Sequence, residues 1–204
     1  MTRPIVTGVE ADPGGERKLI VDAALRVMRQ NGYAAAQISD ILSEARLSTR
    51  AFYRHFQSKD DLLLALFRDN AESTSHQLSA RVLAAGDPPA QLDAWIDEIM
   101  SLGYDRRRAR RAALFASEAA RRTAGYAEEN WRAQQTLIDP LLEVLRAGLR
   151  TGDFPTAQPD TDARTIYALV WRFVMEGMTG TPTMPREEAR EQVERFVLPA
   201  LGRV

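Results

Sequence analysis

The chain has 204 residues, 45% hydrophobic and 27% charged, the proportions of an ordinary globular protein large enough to bury a real core as one large domain or two small ones. It has no cysteine, which excludes disulfides, thiolate metal sites and cysteine catalysis. The net charge of −1 argues by itself against nucleic-acid binding, but residues 1–60 carry nine Lys/Arg against seven Asp/Glu, a net of +2 that leaves −3 for the remainder.

Residues 1–15 contain Pro4, Gly8, Pro13 and Gly14-Gly15 without periodicity and read as a flexible arm. A first helix is expected over 16–30, with Ile20, Ala24, Val27 and Met28 on its inner stripe and Asn31-Gly32 as a left-handed stop. Residues 37–59 then hold two short helical patterns around a tight turn. In the first, Ile38, Ile41, Leu42 and Ala45 share a face. Ser48 sits where an N-cap belongs, and the second helix, 49–55, places Phe52 four residues before Phe56. Its other faces carry Thr49, Arg50, Tyr53, Arg54 and His55. From Ala45 to Lys59 there are four basic residues and no acidic one. Phosphate attraction is screened within about 8 Å, so this local stripe matters more than the net charge. A capped, basic, aromatic second helix is what a helix-turn-helix needs to enter a major groove.

The ordered series Gly32-Tyr33, Ile38, Ile41, Ala45, Leu47-Ser48, Phe52-Tyr53, His55-Phe56, Ser58-Lys59 and Asp61-Leu62 resembles the DNA-binding region of the tetracycline-repressor (TetR) family over residues 16–67. Two positions depart from that pattern. Arg46 stands where the family usually has a turn glycine, so the backbone there is expected to suit a Cβ. Ala36 replaces a common capping Thr, so that phosphate contact is expected to be missing or moved to Gln37.

A long helix is expected from Lys59 to about Ala85, with Leu62, Leu63, Leu66 and Phe67 as its apolar start and Asp60-Asp61 at the positive end of its dipole. After the break at 86–89, a fifth helix over 90–104 has Leu92, Trp95, Ile96 and Ile99 on one face. The Arg-dense 105–111 reads as a solvated helix start or inter-helix ion pairs, with a second DNA surface as the sharper alternative. Helix continues over 112–122. A long helix over 126–151 contains Pro140, which should kink or split it. The last two helices are expected over 160–177 and 186–198. The fold is therefore all-α with about nine helices: an arm (1–15), a helix-turn-helix domain (16–60) and a larger effector-binding and dimerisation bundle (61–204).

No HExxH, GxSxG, P-loop or Rossmann glycine pattern occurs, and acidic pairs such as Asp97-Glu98 read as solvated faces, so the chain is read as no enzyme, without metal or cofactor. There is no apolar h-region and no apolar run of the ~18 residues a membrane span needs, so no membrane partner and a cytoplasmic location are expected. Gln37, Ser48, Thr49, Arg50, Tyr53, His55 and Lys59 are the candidate contacts to double-stranded operator DNA. Arg50 is favoured for a base, while Tyr53, His55 and Lys59 are favoured for phosphates. The resemblance implies a repressor that binds a palindromic operator as a homodimer and is released by a small apolar effector in a cavity of the bundle. Candidates for that cavity are Trp95, Met100, Tyr104, Phe115, Trp131, Tyr167, Trp171 and Met175. The resemblance places the dimer interface on the last two helices, at Ile166, Val170, Phe173, Val193, Phe196 and Val197. Two alternatives stay open: a DNA-binding regulator without a ligand, and an all-α enzyme or carrier.

Overall fold

The computed structural model describes residues 13–180 and 182–203. Among them are ten α-helices and no strand: α1 (Pro13–Ala35), α2 (Ile38–Ala45), α3 (Thr49–His55), α4 (Lys59–Ala84), α5 (Pro88–Tyr104), α6 (Arg106–Ala116), α7 (Glu118–Arg121), α8 (Tyr126–Thr151), α9 (Pro159–Met178) and α10 (Arg186–Ala200). Nine have seven or more residues; the tenth, α7, is the short piece left because the helix expected over 112–122 breaks at Ser117. Ser117 is extended (ψ 149°) and its Oγ accepts from the Ala120 amide, so it caps a new helix. Residues 1–12 of the expected arm lie outside the described residues, while Pro13–Gly15 belong to α1. Among the described residues no helix is long and apolar enough to cross a membrane, and no group of three or more His, Asp or Glu could hold a metal.

The chain divides into two compact units, the first ending at Leu66 and the second running from Phe67. In the first, α1 packs on both α2 and α3. The α1 stripe Ile20, Ala24, Val27 and Met28 is buried with Ile41, Leu42, Phe52 and Phe56. Gly32 interrupts α1 at φ 78°, ψ 159°, a conformation open essentially to glycine alone. The α2–α3 turn keeps the left-handed geometry at Arg46 (φ 55°, ψ 41°), so a Cβ is accommodated there against its preference and not by a changed backbone.

In the second unit, α5 lies at the centre, packed on α9, α8, α6 and α10. At one point it meets α9 backbone to backbone: a Cβ on Gly103 would lie 2.5 Å from the Val174 carbonyl oxygen, and one on Gly177 the same 2.5 Å from that of Gly103. Helix α5 begins at Pro88, two residues earlier than the sequence suggested. Asp87 caps it by accepting from the Ala90 amide, and the fixed φ of proline suits a first turn.

Pro140 does not split α8, which runs unbroken from Tyr126 to Thr151. A proline removes one backbone donor and crowds the preceding turn, leaving the Thr136 carbonyl, four residues back, without its usual partner. Side chains from two other helices reach this turn: Ser75 Oγ donates to the Thr136 carbonyl at 3.3 Å, and Trp95 Nε1 to the adjacent Leu137 carbonyl at 2.8 Å.

Candidate nucleic-acid interface and ligand cavity

Helix α3 is seven residues long and owes its start to Ser48, whose Oγ accepts from the Ala51 amide at 3.3 Å. Its inner side, Ala51 and Phe52, is buried, and Phe56 follows at 3% exposure. Thr49, Arg50, Tyr53 and Arg54 are exposed, with Tyr53 open to 59% although it meets the Phe52 ring edge-on. Ser48 and Gln37 are exposed beside them. Gln37 occupies the N-cap of α2, where its amide donates to Asp40 Oδ2 at 3.2 Å.

His55 and Lys59 are placed differently. The His55 ring, 10% exposed, lies 3.1 Å from Glu16 Oε2, and the same carboxylate oxygen lies 3.1 Å from an Arg54 guanidinium nitrogen. Glu16 on α1 is itself buried to 7% exposure and braces α3 from beneath, a role the sequence pattern did not single out. Lys59 Nζ donates to three carbonyls at the end of α1, those of Tyr33 (3.0 Å), Ala34 (3.4 Å) and Ala36 (3.0 Å), and stands 4.6 Å from the Tyr33 ring centre. A cation satisfying terminal carbonyls caps that helix end. The Tyr33 hydroxyl donates to the neighbouring Asp60. Lys59 also lines an open concavity with residues 34–39 at the start of α2.

The second unit contains a cavity of about 80 Å³ among α4, α5, α6, α8 and α9. Phe67, Ala71 and Thr74 contribute from α4, Ala112, Phe115 and Ala116 from α6, and Tyr126, Asn130, Ala133 and Gln134 from α8. Tyr167, Trp171 and Met178 close it from α9. Phe67 stacks with Phe115 (centres 5.2 Å apart, planes at 25°) and with Tyr126 (5.5 Å, 10°), while Tyr167 stacks on Trp171 (5.4 Å, 18°). The Tyr167 hydroxyl is buried with no hydrogen-bond partner, and burial pushes its pKa well above the ordinary phenol value.

Of the residues the sequence offered for an effector, Phe115, Tyr167 and Trp171 line this cavity, and Trp95, Met100, Tyr104, Trp131 and Met175 do not. Trp95 and Met100 are completely buried in the neighbouring core, and Trp131 is 60% exposed on α8. Tyr104 faces a different concavity with Arg106, Arg110 and Pro182, and Met175 is half-buried on α9. The missed lining is mostly alanine and carboxamide, types that carry no periodic signal.

On α9 and α10, Ile166, Val170, Val193 and Val197 are at most 5% exposed and lie in the chain's own core. Val170 and Val193, at 0%, have no surface to offer a partner. Phe173 is half-buried, and Phe196 is 60% exposed beside a shallow groove that includes Ile166, Leu169, Val197 and Leu201.

A capped, outward-facing α3 packed on α1 and α2, followed in one chain by a helical bundle with an aromatic-lined cavity, defines a helix-turn-helix transcriptional regulator. The sequence profile of the bacterial regulatory proteins of the tetR family matches residues 20–66, and that of the C-terminal part of BetI-type transcriptional repressors matches residues 88–201. The chain belongs to the TetR family of transcriptional regulators. It is 38% identical over 50 residues to the fatty acid metabolism regulator protein of Bacillus subtilis (strain 168), covering 24% of this chain and 26% of that protein. The curated relatives it matches first are spanned over a quarter to under half of their length. Among solved structures, a transcriptional regulator from Saccharomonospora viridis in complex with choline superposes with a TM-score of 0.75 at 22% identity, over 90% of this chain and 96% of that one. FadR from Bacillus subtilis in complex with stearoyl-CoA gives 0.73 at 17% identity, over 90% and 98%. At these identities the likeness is one of fold.

Proposed function

We propose that the chain is a repressor that binds a palindromic operator as a homodimer and releases it when a small, mainly apolar effector fills the cavity of its second unit. The observation that carries the DNA-reading assignment is the split of α3: Ala51 and Phe52 are buried, while Thr49, Arg50 and Tyr53 stand in solvent. Arg50 reads a guanine through its O6 and N7, with Thr49 and Gln37 as neighbouring base contacts, and Tyr53 and Ser48 meet phosphates. A phosphate also fits the concavity at the start of α2 beside Lys59, where backbone amides and the ammonium present positive charge. His55 acts through Glu16 and Arg54, holding α3 at its angle.

Two reading helices on one face of a duplex must sit about 34–36 Å apart, so dimerisation and operator symmetry go together. The groove of α9 and α10 with exposed Phe196 supports an interface there. Helix α4 supplies the route from effector to reader. It starts at Lys59 and Asp60, bonded to the end of α1, and continues as an unbroken helix to Phe67, Ala71 and Thr74 on the cavity. An effector that favours the DNA-incompetent state by about 1–3 kcal/mol lowers operator affinity about 5–150-fold, and operator DNA weakens effector binding by the same factor.

The test selects tight-binding duplexes from a random pool and measures their affinity against scrambled DNA by fluorescence anisotropy. Arg50→Ala should reduce the specificity ratio by the ~1–3 kcal/mol of a bidentate base contact, about 5–150-fold, while leaving scrambled DNA bound within about a factor of three. An unchanged ratio removes Arg50 from base reading, and failure of the native chain to enrich any sequence removes the DNA-reading function.

A further inference from the structure

Among the described residues, those around the cavity in the second unit include no Asp, Glu, Lys, Arg or His. A charged group entering it would lose its hydration without meeting a counter-ion. Open ring faces can attract an organic cation, but here Phe67 already has Phe115 and Tyr126 as stacking neighbours and Trp171 has Tyr167. Rings stacked in near-parallel pairs offer a slot that a further flat ring extends. The polar side chains of the wall are neutral: Asn70, Asn130, Gln134 and Thr74, besides the phenols of Tyr126 and Tyr167. Asn130 and Gln134 are four apart on α8 and so share its cavity side.

Tyr167 makes the second, independent observation. It is 6% exposed and forms part of the wall, yet its hydroxyl has no hydrogen-bond partner. Buried polar atoms in native proteins are almost always satisfied, and one that is not marks a place where something else binds. A phenol held neutral by burial is a donor. We infer that the cavity takes an uncharged, ring-bearing molecule with a hydrogen-bond acceptor, stacked within the aromatic walls and accepting from the Tyr167 hydroxyl. This rests on reading the cavity as the effector site.

Three probes that share a phenyl ring separate the possibilities: acetophenone, which adds an acceptor; ethylbenzene, which lacks it; and phenyltrimethylammonium, which adds a fixed positive charge. Each is titrated calorimetrically into the full chain, its Tyr167→Phe variant, and a cavity-filling variant, Ala133→Trp or Ala112→Phe, whichever melts like the native chain. The expected result is acetophenone about tenfold tighter than ethylbenzene, the cation weakest of the three, and a Tyr167→Phe variant that binds both neutral probes alike. Filling the cavity should abolish all three. If filling abolishes binding but Tyr167→Phe leaves the acetophenone advantage intact, or if the cation binds tightest, the ligand class is overturned and the site stands. Probes that bind regardless of filling overturn the site as well, and a native chain that binds none of them excludes this ligand class.

Discussion

Glu98 is a carboxylate of the second unit with only 2% of its side chain exposed, and it bridges two other helices from α5. Its Oε2 lies 2.6 Å from Arg81 on α4 and its Oε1 lies 2.5 Å from Arg108 on α6. Burial alone would raise its pKa, but the hydrogen bonds and charges of Arg108 and Arg81 outweigh it and hold the carboxyl below its ordinary value. Glu98→Gln keeps the shape and removes the charge. Deleting one partner of a fully buried pair costs about 3–5 kcal/mol, but both guanidiniums here still reach water, at 58% and 26% exposure, and regain part of their hydration. The expected loss is about 2 kcal/mol, which for a chain of this size lowers Tm by about 4–8 °C. The transition can be followed by tryptophan fluorescence, since Trp95, Trp131 and Trp171 all belong to the second unit. The sign with pH follows from the lowered folded-state pKa. The contribution is full above the unfolded pKa and is lost as pH falls through the folded one, so native and variant Tm should converge in acid. A variant within about 1 °C of native at pH 7, or a gap that persists unchanged below pH ~3, would refute the bridge as a stabilising element.

Arg46→Gly should stabilise the first unit by about 0.5–1 kcal/mol, because relief of a left-handed conformation worth ~1–2 kcal/mol exceeds the added chain entropy of glycine; circular-dichroism melting of that unit checks the sign. Gly103→Ala should cost the second unit about 2 kcal/mol or more, because its Cβ would lie 2.5 Å from the Val174 backbone oxygen, which no rotamer can move; an unaltered melt would mean that α5 and α9 are not in contact there. Phe196→Glu alters a side chain 60% exposed and should leave helicity intact while giving monomers by sedimentation, and a persistent dimer would move the interface off α10.

The helix-turn-helix was legible because its determinants are local. Ser48 caps, Phe52 and Phe56 repeat at four, and the polar residues between them fall on the remaining faces without reference to the rest of the chain. What was not legible depends on partners distant in sequence. His55 reads as either a phosphate contact or a structural hydrogen bond until Glu16, 39 positions away, is found against it. Lys59 reads as a phosphate ligand alone, and only the structure shows that its ammonium also holds three carbonyls at the end of α1. The three tryptophans show the same limit. One, on the apolar stripe of α5, is pinned in the core to the carbonyl of Leu137; of the other two, one is exposed on α8 and one lines the cavity, and nothing in the local pattern separates those. The Arg-dense start of α6 divides likewise: Arg108 joins Glu98, Gln77 and Ser101, while Arg106, Arg107 and Arg110 remain exposed.

The small residues of the wall and the fixed points around it belong to one arrangement. A space of about 80 Å³ among packed helices is one that a bundle free to relax would narrow by sliding helices together. Ala71, Ala112, Ala116 and Ala133 leave the space. Collapse is opposed on two sides. Glu98 ties α4, α5 and α6 together, one turn from Leu102 on α5 and Ala112 on α6. Ser75 and Trp95 hold α8 at the Thr136 and Leu137 carbonyls of the turn before Pro140, within a turn of Ala133. The Gly103–Gly177 crossing fixes how closely α5 and α9 approach, and Met178 of the wall is the next residue. Each of these contacts joins helices rather than turns within one helix, so together they fix the separations that an alanine-lined space needs to stay open. For the proposed effector such a frame is a formed site, so little of its binding energy would be spent on ordering the walls.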